Sequence, residues 1–89
     1  LSWTTVDEVR NRTKQAVKKN RILLFHWRGG YLTKEVLKEL LVVFDEEASV
    51  KGKQAYVSVN WPQAVICVRF EDGAGEEQVE MEDANEGER

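Results

Sequence analysis

A single cysteine, Cys67, stands among the 89 residues, so no disulfide can close within the chain and nothing points to an oxidising compartment. Histidine is equally scarce. His26 and Cys67 together give no repeated ligand spacing of the kind a structural zinc needs, and no metal or cofactor is expected. The same two residues are a base and a nucleophile by type, but no third residue is evident to orient them, which argues against an enzyme. The longest apolar run, Leu40–Phe44, falls far short of the roughly 20 residues a bilayer-spanning helix needs. With no initiating Met and no signal-peptide pattern, the chain reads as a segment of a larger intracellular protein.

What is present is charge, and it is unevenly placed. Residues 1–70 hold 12 Lys/Arg against 7 Asp/Glu, whereas residues 71–89 hold 9 Asp/Glu against the lone Arg89. The overall net charge of −3 is therefore the sum of a basic body and an acidic end. A basic body suits phosphates or acidic surfaces, and an acidic tail solvates, repels or competes for the same surface. Two units follow: a basic domain over 1–71 and an acidic tail over 72–89. The tail is rich in Glu, Asp and Gly with only Val79 and Met81 as larger apolar residues, a composition that cannot repay ordering entropy, so disorder is expected there.

Within the body, Thr5 and Glu8 have capping-box spacing, and Val6, Val9, Thr13, Ala16 and Val17 recur at about 3.6 residues. This predicts a helix over Thr5–Asn20 whose second stripe is Arg10, Lys14, Lys18 and Arg21. Arg21–Arg28 reads as a strand, broken by Gly29-Gly30 at a tight turn. Thr33 then caps a second helix that buries Val36, Leu37, Leu40, Leu41 and Phe44. The polar stretch Asp45–Lys53 is expected to end it as a loop. Gln54–Trp61 and Ala64–Phe70 alternate as strands, joined through Asn60-Trp61-Pro62-Gln63 with a possible cis bond before Pro62. The order helix-strand-helix-strand-strand makes a two-layer α+β sandwich. One sheet face would carry Leu23, Phe25, Trp27, Val57, Val59, Ile66, Val68 and Phe70 toward both helices. The other would present Leu24, His26, Tyr56, Ser58, Val65, Cys67 and Arg69.

Residues 22–70 resemble a divergent RNA-recognition-motif domain, as in spliceosome-linked J-domain co-chaperones. The likeness rests on a strand ending at Trp27, then Gly29-Gly30-Tyr31-Leu32-Thr33-Lys34-Glu35-Val36-Leu37 leading into a helix, and a final strand Ala64-Val65-Ile66-Cys67-Val68-Arg69-Phe70. It implies a partial or rearranged ferredoxin-like fold and RNA as ligand. The family's second helix and fourth strand would follow Phe70, where the acidic tail stands. Either the amino-terminal helix fills that place, or the first strand stays an unpaired edge. The resemblance also puts Leu24, Val65 and Cys67 where base-stacking aromatics belong.

Two functional expectations result. The first is a non-catalytic nucleic-acid-associated module, RNA ahead of DNA and nucleus ahead of cytoplasm. Arg10, Lys14, Lys18 and Arg21 would contact phosphate, and His26, Arg28, Tyr56 and Arg69 would act on the open sheet. The alternative is a protein-interaction or homodimerisation domain using an exposed strand edge and the tryptophans Trp3 and Trp61.

Overall fold

The computed structural model describes residues 1–72, which form α1 (Trp3–Lys18), β1 (Leu23–His26), α2 (Lys34–Val50), β2 (Lys53–Asn60) and β3 (Val65–Asp72). The three strands make one antiparallel sheet in the order β1-β3-β2. Both helices lie on one side of it, and that arrangement is the two-layer α+β fold the pattern predicts. The acidic tail lies outside the described residues apart from Asp72, which ends β3 opposite Lys53.

Periodicity decides what is buried. Val9, Thr13, Ala16 and Val17 of α1 and Leu40, Val43, Phe44 and Ala48 of α2 are enclosed against Leu23, Phe25, Ile66, Val68 and Phe70 of the sheet. Thr13 fits this apolar layer because its hydroxyl donates to the Val9 carbonyl at 2.7 Å, leaving no unpaired donor. Ala55, Val57 and Val59 of β2 are half-buried at the sheet's edge. Register follows the expected alternation: Phe25 pairs with Ile66, and Val57 with Val68.

Local chemistry moves several boundaries. Ser2, not Thr5, caps α1, its hydroxyl accepting the Thr5 amide at 3.1 Å, so the Thr5–Glu8 spacing lies inside the helix. The helix stops at Lys18, with Asn20 in the left-handed region at φ 55°. β1 is only four residues long, because the Arg21 amide turns back to the Ala16 carbonyl at 2.9 Å.

The largest departure is α2, which runs on through Asp45–Val50 where a polar loop was expected. That polarity belongs to a contact between helices: Arg10 of α1 holds Glu47 at 2.6 Å and Glu46 at 3.0 Å, while Ala48 packs into the core. The helix gives way at Gly52, whose φ of 68° suits a residue without Cβ. At the β2–β3 turn every peptide is trans, so the cis bond before Pro62 is not formed. Ala64 leaves the strand and takes φ 54° in the turn. Its amide bonds the Trp61 carbonyl at 3.1 Å and its carbonyl accepts Trp27 N–H at 2.8 Å.

Candidate interaction surface

The side of the sheet away from the helices is built by the other half of each strand's alternation. Leu24, Cys67 and Ser58 form one row across β1, β3 and β2, and His26, Val65 and Asn60 form the next. Arg69 pairs with Tyr56, and Ile22 precedes β1 at the same end of the sheet. Leu24 is 60% exposed, Ile22 61% and Tyr56 43%, so nothing among the described residues covers this face. Ile22, Tyr56, Ser58, Cys67 and Arg69 line a shallow depression of about 230 Å³ on it.

The polar groups on this face are already tied to one another. Arg69 lies over the Tyr56 ring, 5.0 Å from its centroid, and pairs with Glu71. The Tyr56 hydroxyl donates to Gln54 Oε1 at 2.8 Å. Arg28 Nε donates to His26 Nδ1 at 3.3 Å. His26 sits opposite Val65 while Cys67 sits opposite Leu24, so the register does not pair the histidine with the cysteine. Among the described residues no group of three His, Cys, Asp or Glu side chains is placed to hold a metal ion.

The basic stripe of α1 is elsewhere. Arg10 is committed to Glu47 and Glu46, and these two bonds, Glu47 foremost, raise its pKa above the ordinary guanidinium value. It is not a free phosphate ligand. Lys14 and Lys18 are exposed on the helix layer, lining a groove of about 310 Å³ with Val17, Glu47, Val50 and Lys51. Arg21 is exposed in the α1–β1 connection. Because the buried stripe of α1 faces the sheet, Lys14 and Lys18 point away from the bare face, and the two halves of the expected nucleic-acid surface do not meet. Trp3 is 80% exposed at the start of α1, and Trp61 is 45% exposed in the β2–β3 turn, outside the strands.

One residue the patterns did not single out is Arg12. It projects from α1 toward β1, donating to the Leu24 carbonyl at 2.9 Å with its guanidinium 5.0 Å from the Phe25 ring centroid. No sequence signal marks it, because its acceptor is a backbone carbonyl. The chain matches no family model, no curated protein and no solved structure. The class that the fold defines is an α+β domain with two helices on one side of a three-stranded antiparallel sheet.

Proposed function

We propose that this domain is a non-catalytic protein-interaction module whose bare sheet face seats an apolar surface of a partner. The observation that carries this reading is the exposure of Ile22, Leu24 and Tyr56 together on one uncovered face, with half-buried Val65 and Cys67 between the strands' polar residues. Contiguous apolar area of this kind on a small domain marks contact sites. Arg69, the cation in the middle of this end of the face, is already paired with Glu71 and stacked on Tyr56, which weakens its attraction for a phosphate backbone.

A photo-crosslinking side chain at position 24 of the full chain tests this in cell extract, with the same group at exposed Lys38 as control. Discrete protein adducts from position 24 alone, lost when Ile22→Glu is added, are the expected result. Adducts removed by nuclease, or equal yields from both positions, overturn it.

The nucleic-acid reading keeps one specific support: a Tyr56 ring beside Arg69, with His26 and Arg28 on the same side of the sheet. The likeness to an RNA-recognition motif is likewise supported by the strand order β1-β3-β2 with a helix between β1 and β2. On that reading single-stranded RNA binds with steep salt dependence, and Tyr56→Ala and Arg69→Ala each weaken binding about tenfold. Binding that survives both substitutions sinks it.

A further inference from the structure

The outer edge of β1 is a feature distinct from the bare face. Trp27 N–H donates to the Ala64 carbonyl across the sheet, and in an antiparallel pair bonded residues alternate with unbonded ones. Leu23, Phe25 and Trp27 therefore turn their backbone groups toward β3, while Leu24 and His26 turn theirs away from it. Of these four outward groups only the Leu24 carbonyl has a partner among the described residues, the guanidinium of Arg12 at 2.9 Å. A groove of about 460 Å³ runs along this edge, lined by Thr5, Glu8 and Arg12 of α1 and by residues 24–29. Trp27 Nε1 is buried beside it and lacks an acceptor among the described residues. Arg12 and Arg28 also lack a carboxylate partner there, unlike Arg10 and Arg69, and Glu8 is the one acidic residue of the lining.

From the open edge and the unpaired Arg12 beside it, we infer that β1 accepts an extended segment of another protein as a fourth strand, with a carboxylate side chain on the groove side. Backbone chemistry selects the class of ligand. Outward amides and carbonyls two residues apart match the alternating donors and acceptors of a polypeptide lying about 4.8 Å away. A phosphate backbone offers acceptors but no donors, and would leave the outward His26 carbonyl unpaired. Charge argues against a second copy, because pairing β1 with β1 brings a second Arg12 and a second Arg28 to the same place.

Strand geometry then supplies the side-chain pattern. Residues directly opposite each other on adjacent strands point to the same side of the sheet. A ligand residue level with Phe25 therefore points to the helix side, where Arg12 stands 5.0 Å from the Phe25 ring centroid. A carboxylate there meets a guanidinium that keeps further N–H donors beyond the one given to the Leu24 carbonyl. That carbonyl has a second lone pair for the ligand's amide, so Arg12 need not leave. A ligand residue level with Trp27 lies on the side of the unpartnered indole N–H. Residues level with Leu24 and His26 point instead to the bare face, beside a leucine that is 60% exposed. The segment that fits alternates acidic with apolar residues over the 4-residue length of β1.

Amide hydrogen exchange on the full chain tests the docking, with an acetylated and amidated hexapeptide of alternating valine and glutamate as the probe. At saturating peptide the Leu24 and His26 amides are expected to exchange about tenfold more slowly than without it. A peptide with glutamine in place of glutamate should bind about tenfold more weakly, and Arg12→Met should abolish that difference. Unchanged exchange at Leu24 and His26 overturns the inference, and so does equal binding of the two peptides by the wild type. Protection already present without peptide overturns it as well, because the edge would then not be open. Protection that rises with protein concentration alone makes a second copy the occupant, with the same consequence. A partner seated on the bare face leaves these two amides unprotected, so this inference and the proposed function fail separately.

Discussion

The two faces of the sheet are made by the same twenty residues of strand, yet they are chemically unlike. On the helix side Leu23, Phe25, Ile66, Val68 and Phe70 are almost wholly enclosed. On the other, Leu24 and Tyr56 are exposed and Cys67 and Val65 are only half-buried. Each strand alternates, but β1 and β3 do not alternate between apolar and polar: Leu23-Leu24-Phe25 and Val65-Ile66-Cys67-Val68 are apolar on both sides. A strand covered on one side only needs one apolar side. The surplus on the bare face is therefore not required by folding, and the proposed contact with a partner rests on it.

The strongest attack on that comparison uses adjacent residues of β3. Ile66→Ala removes a side chain with no exposure and should cost about 3 kcal/mol, the transfer loss plus a residual cavity. Cys67→Ala, one residue on and facing the other way, should cost less than about 0.5 kcal/mol. Urea denaturation measures both. Similar losses at the two positions would mean that the faces are not energetically distinct.

Next in size is the ion pair between the two helices. Glu47→Gln keeps the shape but removes the closer of the two carboxylate charges that face Arg10, whose side chain is about a third exposed and therefore partly screened. A loss of about 1 kcal/mol is expected, with Arg10→Met in the Glu47→Gln background costing little more. Additive losses in that double-mutant cycle would show that the 2.6 Å contact contributes nothing of its own.

These contrasts bear on how much was legible in the chain. The faces of the strands were, because a period of two converts sequence position directly into side, and Ile22–Phe70 contains no bulge to shift it. The end of α2 was not. Asp45-Glu46-Glu47 reads as solvated loop until Arg10, 37 residues from Glu47, is known to lie beside it. The same blindness to distance affected the site. A basic stripe on α1 is real, but only tertiary contact shows Arg10 neutralised and Lys14 and Lys18 on the far layer. Arg12 was missed for the opposite reason: its acceptor is a backbone carbonyl, which leaves no mark in the side-chain pattern.

A smaller effect should come from the turn that sets which residues of β3 face inward. Ala64 holds φ 54°, a conformation that costs a residue with a Cβ about 1 kcal/mol, while bonding both Trp61 and Trp27 through its backbone. Ala64→Gly relieves that strain and gives back some of the gain as unfolded-state entropy. A net stabilisation of about 0.5 kcal/mol follows, read as a small rise in Tm. Destabilisation would mean that the Ala64 methyl packs usefully, and that the register is fixed by that contact as well as by the turn.

The smallest expected change in stability is at the bare face itself, and it gives the sharpest form of the comparison. Ile22→Ser with Leu24→Ser removes two side chains that are each about 60% exposed, so their burial contributes little and the double variant should unfold within about 0.5 kcal/mol of the parent. If the face exists for contact, partner binding falls sharply at unchanged stability. If instead the two residues brace the sheet, stability falls by more than about 1 kcal/mol and binding falls only in proportion to unfolding. Folding and binding place opposite demands on Leu24: the core has no use for it, since β1 already buries Leu23 and Phe25 on the helix side. A hydrophobic residue that the fold does not require is the feature that separates an interaction surface from a scaffold.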